Sequence, residues 1–311
     1  MSYVHIAEDG KTAKVGGEPI RSLTAQRLER GPTLTFFLVT GICECVGVSA
    51  PVLGGGHGWL QGEYGLAADQ IVSARVVLPN GKAVTASEDS NPDLFWALRG
   101  AGHNFGYVAE WTYRIYDIKP EAPKWAYDIL VFSGDKLEEL FTLHNKMQKD
   151  QPANAIHWSY IIRPAELHVD HPVIWYGIMY DGPEDEARAY SKPLYDIEHM
   201  SVQSGLATTH ELAALTFQDL DGPGCAYGLT SLRFPIGLKE FNVPAVRKVF
   251  DYIDTSFQEI PEIAGSFFVL EGYSVQAVQA IDDKSTAFPH RSDNILVTSY
   301  VQYKPDPRID P

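Results

Sequence analysis

The stretch GICECVGVSAPVLGGGHGWLQGEYGLAAD, residues 41–69, is the most distinctive part of the chain. Its glycines are concentrated at both ends of Gly41–Gly47, throughout Gly54–Gly58 and at Gly65. Glycines at this density let backbone amides approach a ligand closely, and successive amides can form a concave nest for a diphosphate. The alternative is that these glycines only turn a tightly packed loop. The residues alone leave both interpretations open.

The spacing of these glycines excludes two familiar nucleotide-binding loops. It is not Gly-x-Gly-x-x-Gly leading into a helix, and no Gly-Lys-Ser/Thr follows, so neither a Rossmann loop nor a nucleoside-triphosphate loop fits. The apolar run Leu34–Leu60 is long enough to span a bilayer. Its glycines and Pro51 would leave backbone groups unpaired in lipid, and Glu44 would be costly there. We therefore expect no membrane span.

Strands and tight turns are predicted on both sides of the glycine stretch. The segments Val4–Lys14 and Ile71–Ala86 are predicted hairpins that turn at Asp-Gly and Asn-Gly. A short helix is predicted over Pro92–Leu98, between an asparagine cap and a following glycine. Strict alternation over Tyr107–Tyr116 predicts a half-buried strand. These elements form a first predicted domain, residues 1–118.

From residue 119 onward, longer helices alternate with strands rich in aromatic residues. Helices are predicted at 135–149, 184–190 and 243–257, and strands at 157–162, 173–180, 229–234, 266–271 and 295–303. The strands mostly alternate, which suits an antiparallel sheet with one face under helices. The predicted fold class is α+β, with domains 1–118 and 119–311 that meet near Ile118–Pro123.

Composition and charge limit the partners that the chain can have. The 311 residues are 45% hydrophobic, which excludes a disordered or fibrous protein. With 40 acidic and 25 basic residues, the net charge of −15 repels phosphate backbones, so no nucleic-acid partner is expected. The first residues lack the apolar segment of a signal peptide, which makes the cytoplasm the default location.

The chain has three cysteines: Cys43, Cys45 and Cys225. A single residue separates the first two. They are too few and too close for a disulfide framework, and they lack the ligand spacing of a zinc site. We therefore expect neither a disulfide framework nor a zinc site. Any role of these cysteines is expected to come from their chemical reactivity.

Other candidate residues each have a plain alternative. His168 and His171 suggest a metal site, but without a third ligand they are expected to lie on a solvated loop. The segment Phe288–Arg291 is either a substrate-facing loop or a loop with a surface salt bridge. His57 is either a ligand contact or a polar plug that satisfies loop carbonyls. Four strand residues either line a pocket for a flat substrate or are ordinary sheet residues: His157, Tyr160, Trp175 and Tyr176.

Five motifs, taken in order, resemble a known family. They are GICECVG at 41–47, GGGHG at 54–58, YGLAAD at 64–69, NPDLFWALRGAGHNFG at 91–106 and TAFPHRSDN at 286–294. Over essentially its whole length the chain resembles fungal FAD-linked oxidases of the berberine-bridge-enzyme and 6-hydroxynicotine-oxidase type, within the vanillyl-alcohol-oxidase superfamily. The resemblance implies a partial PCMH-type FAD-binding subdomain followed by an antiparallel substrate-binding sheet covered by helices.

The resemblance also implies a cofactor, FAD, and a set of residues around it. The positions that match FAD-wrapping residues of the family are Gly41, Cys43, Val46, Gly54, Gly55, Gly58, Tyr64, Gly65 and Ile71. Cys43 stands where some relatives form a thioether to the flavin, which is reasonable chemistry for a thiolate in an amide-rich loop. Cys45 is expected to be a small hydrophobe in the same turn. The resemblance assigns no catalytic residue and no metal.

Two parts of the family pattern have no match in this chain. The Arg-Ser-Gly-Gly-His loop, whose histidine binds FAD covalently in relatives, would stand before Met1, and a flavin-flanking segment would follow Tyr303. The chain thus resembles the middle of such an enzyme. We expect the chain as written to hold FAD weakly or not at all, to show little oxidase activity, and to dimerise or aggregate through exposed sheet edges.

Three functions are consistent with the sequence. The first is an FAD-dependent oxidoreductase that oxidises a small, partly aromatic secondary metabolite, with dioxygen as acceptor. The second is a non-redox cyclase or isomerase, a pseudoenzyme or an inactive fragment on the same scaffold. The third is a structural partner that completes its fold as a homodimer.

Overall fold

The computed structural model describes residues 3–17, 27–30, 34–118, 124–164 and 167–307. The chain divides into two compact units: the first contains 1–123, 207–225 and 275–291, and the second contains 124–206, 226–274 and 292–311. The first division thus lies five residues beyond the predicted boundary at 118. Two later segments that the sequence analysis places in the second domain belong to the first unit. Residues 119–123 of the predicted junction lie outside the described part.

Strands and helices are numbered along the chain. The strands are β1 (Val4–Ile6), β2 (Thr12–Gly16), β3 (Arg27–Arg30), β4 (Leu34–Phe37), β5 (Ile71–Val77), β6 (Ala83–Ser87), β7 (Tyr107–Arg114), β8 (Tyr116–Asp117), β9 (Trp125–Ser133), β10 (Ala155–Ile162), β11 (Val173–Tyr180), β12 (Ser201–Ala207), β13 (Thr230–Leu238), β14 (Phe267–Gly272) and β15 (Ile295–Tyr303). The helices are α1 (Ser49–Leu53), α2 (Gln61–Tyr64), α3 (Pro92–Leu98), α4 (Leu137–Lys149), α5 (Glu184–Ser191), α6 (Thr209–Leu215), α7 (Val243–Glu259) and α8 (Gln276–Gln279).

The first unit is built on a five-stranded antiparallel sheet in the order β1-β2-β7-β5-β6. Both predicted hairpins are present, and Gly81 turns the second one with a φ of +79° that favours glycine. Helix α3 occupies its predicted residues and buries Phe95 and Leu98 in the core of this sheet. A small sheet of β3, β4 and β8 completes the strands described in this unit.

The second unit is a seven-stranded sheet in the order β12-β9-β11-β10-β14-β15-β13. Helices α4 and α7 bury apolar residues such as Leu140, Phe141, Ile253 and Phe257 in a core with the strands, as an amphipathic helix must. The α+β prediction is confirmed. Among the described residues, no helix is both long enough and apolar enough to cross a membrane.

Strand β13 is longer than the predicted strand at 229–234 because it continues through a proline. Pro235 lies opposite Thr298 of β15, and β15 is the neighbour that the sheet order gives to β13. A proline cannot donate a ladder hydrogen bond, and an edge strand tolerates one where its amide would face away from the sheet. The edge position therefore explains why the strand is not interrupted.

Candidate functional site

The two halves of the glycine stretch lie side by side in the first unit. A Cβ at Gly41 would come within 3.6 Å of the His57 carbonyl oxygen, and a Cβ at Gly58 would overlap the carbonyl of Thr40. No side chain fits at Gly58 without moving the backbone opposite. The loops 41–47 and 54–58, named here the glycine loops, therefore form one surface, and glycine is what lets them meet.

Part of this surface is a packed turn. The Gly54 and Gly55 amides donate to the carbonyls of Pro51 and Val52 at 3.0 and 3.1 Å, closing the end of α1. Gly55 has a φ of +102°, and a Cβ there would overlap the ring of Phe288. The packing interpretation of the glycines therefore holds at Gly55. It does not hold at Gly54, whose φ is −107° and where the nearest atom to an added Cβ would be 3.5 Å away.

The nine candidate residues divide by exposure. The exposed or half-buried ones are Gly41, Cys43, Val46, Gly54 and Tyr64, and the buried ones are Gly55, Gly58, Gly65 and Ile71. The first group can touch a ligand with backbone or side chain. The second group shapes the loops and the strand behind them.

Tyr64 belongs to a cluster of aromatic rings beside the glycine loops. Its ring centroid lies 4.4 Å from that of Tyr116 and 5.3 Å from that of Phe37. Gln70 ties the cluster together, because its amide donates to the Tyr64 carbonyl at 2.7 Å and its oxygen accepts from the Tyr116 hydroxyl at 2.6 Å. The half-buried Tyr64 ring is thus held in one place, which suits a contact surface.

The Phe288–Arg291 segment has a salt bridge, but not the predicted surface one. Arg291 is buried, and its guanidinium forms a bidentate ion pair with Asp69 at 2.7 and 3.0 Å, together with a hydrogen bond to Thr286 at 2.7 Å. The salt-bridge interpretation is therefore wrong in placing the ion pair at the surface, while a substrate-facing role of the exposed His290 stays a prediction. The ion pair fastens residues 286–291 to the turn that follows Tyr64-Gly65, and the ring of Phe288 packs against Leu66.

The expectations for the cysteines need correction. Cys45 and Cys225 form a disulfide across 180 residues of sequence, so Cys45 is not a simple hydrophobe. Cys43 is outside this bond, but its Sγ lies 3.4 Å from Cys45 Sγ and 3.7 Å from Cys225 Sγ. A single disulfide between residues 180 apart leaves no signal in the spacing of three cysteines, so it was not predicted.

Glu44, between the two loop cysteines, is a second tie to the segment 207–225. Its buried carboxylate accepts from His210 Nδ1 at 2.5 Å and from the Leu220 amide at 3.3 Å, and its own amide donates to the Gln218 carbonyl at 2.9 Å. The hydrogen bond with Glu44 and its negative charge raise the pKa of His210. The sequence marked Glu44 only as an interruption of an apolar run, so this role was missed.

In the second unit, two of the four strand candidates belong to a buried hydrogen-bond network. The Tyr176 hydroxyl lies 2.6 Å from His157 Nδ1 and 2.7 Å from His144 Nδ1, and His157 Nε2 lies 2.7 Å from the Tyr190 hydroxyl. Since a phenol carries one hydrogen, at least one of these histidines donates to Tyr176. Burial lowers the pKa of His144 to about 3 and that of His157 well below its usual value. Both imidazoles are therefore neutral.

Tyr160 and Trp175, the other two candidates, lie opposite each other on the other face of the sheet. The same face carries Glu271, which no sequence pattern marked as a candidate and which is paired with Trp158 across β10 and β14. Burial raises the pKa of Glu271 to about 7, and the Tyr273 hydroxyl donates to its carboxylate at 2.5 Å. A carboxyl group with a pKa near neutral can exchange protons at physiological pH.

Two further histidine candidates are explained locally. His171 Nδ1 lies 2.8 Å from Asp254 Oδ2 on an exposed loop, and within the described ranges the one cluster of three potential metal ligands is the cysteine group. His57 Nδ1 lies 2.9 Å from Gln61 Oε1, and the same oxygen accepts from the Gly58 amide at 3.3 Å. His57 is half-buried and helps to fix the glycine loop, but its Nδ1 partner is a side-chain oxygen and not one of the loop carbonyls of the polar-plug interpretation.

Comparison with known proteins shows which proteins this chain resembles. Residues 2–87 match the FAD binding domain family. The chain is 39% identical, over an alignment of 315 positions, to the FAD-linked oxidoreductase chyH of Penicillium rubens, and 35% identical over 314 positions to anuG of Penicillium roqueforti. Both alignments cover the whole of this chain. They cover only 62% of chyH and 60% of anuG. The chain thus spans about three fifths of the length of the curated relatives it matches.

Solved structures share the fold. Physcomitrella patens BBE-like 1 superimposes with a TM-score of 0.78 at 19% identity, covering 98% of this chain and 65% of that one. A chitooligosaccharide oxidase superimposes with a TM-score of 0.75 at 21% identity, covering 97% and 63%. At such identities the likeness concerns the fold.

Proposed function

We propose that this chain, which belongs to the FAD-linked oxidoreductase family, holds FAD on the surface formed by its two glycine loops. The observation that carries the proposal is the division of the nine candidate residues. Four of them reach the surface of the two loops, which meet only because glycine stands at their contact, and the half-buried Tyr64 follows shortly after in the chain. The other four are buried: Gly55 and Gly58 within the second loop, Gly65 in the turn after Tyr64, and Ile71 at the start of β5.

The roles follow from exposure and chemistry. Gly54 is exposed, a Cβ there would make only ordinary contacts, and its lack of a side chain allows a diphosphate to come close. Val46 and the fixed ring of Tyr64 offer apolar and aromatic surface to flat rings. We assign to Cys43 the thiol that forms a thioether with the flavin, and to Gly55, Gly58, Gly65 and Ile71 the shaping of the loops.

The reaction we propose is the oxidation of a small, partly aromatic secondary metabolite with dioxygen as the acceptor. FAD, when bound, supplies the hydride-accepting chemistry. The second unit carries aromatic side chains on the sheet face of Glu271, among them Trp158, Tyr160 and Tyr273, and these suit a flat substrate. Glu271 is our candidate to take a proton from such a substrate, because its pKa lies near neutral.

The cofactor assignment is tested by titrating FAD with the chain and following flavin fluorescence at equilibrium, without a desalting step, because the binding expected of the chain as written is weak. Binding that saturates at one FAD per chain supports the proposal. No change in fluorescence at any protein concentration would reject it. Peptide mapping of acid-denatured protein tests the thioether: after cleavage at Glu44 the flavin-bearing peptide should contain Cys43 and not Cys45, and it should be lost in Cys43→Ser.

The reaction class is tested with the FAD-loaded chain and a panel of phenolic and other aromatic compounds. An oxidase forms one hydrogen peroxide per substrate consumed and requires FAD. Glu271→Gln should lower that rate by roughly a hundredfold or more, the usual worth of a positioned proton acceptor. Conversion of a substrate without peroxide and without bleaching of the flavin band would instead identify the non-redox function.

A further inference from the structure

The three cysteine sulfurs of the first unit form one compact group. Cys43 Sγ is at nearly equal distances, 3.4 and 3.7 Å, from the two sulfurs of the Cys45–Cys225 disulfide. Cys225 is buried, whereas Cys43 and Cys45 are half-buried. A thiol at van der Waals distance from both atoms of a disulfide is the arrangement from which thiol–disulfide exchange begins.

Contacts other than the disulfide hold this group together. Glu44 fixes the loop between Cys43 and Cys45 to three residues of the segment 207–225 that carries Cys225. The Cys225 amide is bonded to the Gly222 carbonyl at 3.0 Å, which keeps that end of the segment in a defined turn. The sulfurs therefore stay close together while the bond between any two of them is open.

We propose that Cys43, Cys45 and Cys225 form a thiol–disulfide exchange site in which the disulfide has two alternative locations. The Cys43 thiolate attacks Cys225 Sγ, a Cys43–Cys225 bond forms, the Cys45–Cys225 bond breaks, and Cys45 leaves as a thiolate. The proton lost from Cys43 is regained by Cys45, so the step consumes no oxidant or reductant. The chemical class that opens or closes the site from outside is a small thiol or disulfide such as glutathione.

The attack on Cys225 is favoured over the attack on Cys45. A Cys43–Cys45 bond would close a ring across the single residue Glu44, whose amide and carboxylate are already engaged with the other segment. A Cys43–Cys225 bond instead joins the same two segments that the present disulfide joins, now 182 residues apart. Because the three sulfurs form a triangle, the step needs one Cβ–Sγ arm to rotate into line with the disulfide.

The proposal goes beyond FAD binding and concerns the molecules in which Cys43 is not joined to a flavin. Its consequence is that the half-buried loop thiol alternates between Cys43 and Cys45. Either disulfide would keep the segment 207–225 attached to the glycine loops. The exchange thus changes which sulfur is reactive without releasing the segment.

The sequence offers a direct way to map the bond. Cys43 and Cys45 fall in one tryptic peptide, but cleavage after Glu44 by a glutamyl protease separates them. The full chain is held in a glutathione redox buffer at about pH 8, where a thiolate fraction is present, and is then trapped with an alkylating reagent. We expect alkylated Cys43 with a Cys45–Cys225 link, plus a second population, roughly a tenth or more, with alkylated Cys45 and a Cys43–Cys225 link.

Matched variants make the test decisive. Cys45→Ser should form the Cys43–Cys225 link in the same buffer, and the control Cys43→Ser should keep Cys45–Cys225 with no alkylated cysteine. Should Cys45→Ser fail to fold, mapping of the unmutated chain still decides. The proposal is overturned if every unmutated molecule keeps Cys45–Cys225, if Cys43 is found only on flavin, or if folded Cys45→Ser retains two alkylated thiols.

Discussion

The two units of the chain are stabilised in different ways. The first is held by ties between residues far apart in sequence: Cys45–Cys225, Glu44–His210 and Asp69–Arg291 are separated by 180, 166 and 222 residues. The second is held mainly by the seven-stranded sheet of β9 to β15 with its buried neutral histidines, and it also has one ion pair, Arg188–Asp128, that joins residues 60 apart.

This difference matches the tasks that we propose for the units. A surface of glycine-rich loops has little side-chain packing of its own and leaves much backbone near solvent. Such a surface keeps one shape only if other segments clamp it, and a disulfide and buried ion pairs do so. In the second unit each strand is fixed mainly by its neighbours in the sheet, and the ion pair Arg188–Asp128 adds one such tie.

The largest effect should come from breaking the buried ion pair between Asp69 and Arg291. Arg291→Met leaves the Asp69 carboxylate buried without its partner, and we expect a loss of about 3–5 kcal/mol in the free energy of unfolding. Urea denaturation measures it. Arg247→Met is the matched control in the second unit, since it removes a more exposed bidentate pair with Glu138 and should cost about 1 kcal/mol or less. Equal losses of unfolding free energy in both variants would show that the buried Asp69–Arg291 pair stabilises the chain no more than an exposed pair does.

Gly55→Val should come next. A Cβ at Gly55 overlaps the Phe288 ring and stands at a positive φ, so we expect a loss of about 2–4 kcal/mol from crowding and backbone strain, together with loss of FAD retention. Gly81→Ala shares the positive φ but meets no atom within 4 Å, so it should cost only the strain, about 1 kcal/mol. If both variants lose the same stability, crowding by Phe288 is not the cause.

The second unit should respond to acid through its histidines. The pKa of His144 is about 3 in the folded chain against about 6.5 when unfolded, so only the unfolded chain binds its proton between these values. The contribution of neutral His144 to the free energy of unfolding is therefore complete above about pH 6.5. It is lost as the pH falls toward 3, by at most about 1.4 kcal/mol per pH unit.

His144→Gln should flatten the fall of the unfolding free energy over that pH range relative to the unmutated chain. Comparing the two chains removes the contribution of Glu271, whose raised pKa acts in the opposite direction. Tyr176→Phe is the control, because it deletes the hydroxyl and keeps both imidazoles, and it should lower stability while keeping the slope. Parallel curves for His144→Gln and the unmutated chain would contradict the account.

Periodicity and turn chemistry predicted most of the fold. The hairpin at Asn80-Gly81, helix α3 and strand β11 lie where the alternation and caps placed them, because their signals are local. The FAD-linked oxidase resemblance is confirmed by the relatives. The clamps were not predictable in the same way, since no local pattern links Cys45 to Cys225 or Asp69 to Arg291. Glu271 was not predicted as a candidate residue, because its raised pKa depends on burial by residues from other strands.

The central claim is that the glycine loops form the FAD-binding surface, and Gly54→Leu tests it most directly. Gly54 is exposed, has an allowed φ and leaves room for a Cβ, so the variant should fold normally while its side chain covers the surface. Gly265→Leu, at an exposed glycine of the second unit with no atom within 4 Å, is the control. The measurement is the FAD dissociation constant by fluorescence titration. We expect Gly54→Leu to weaken binding by roughly tenfold or more, about 1.4 kcal/mol, with Gly265→Leu unchanged; equal affinity in both variants would contradict the account.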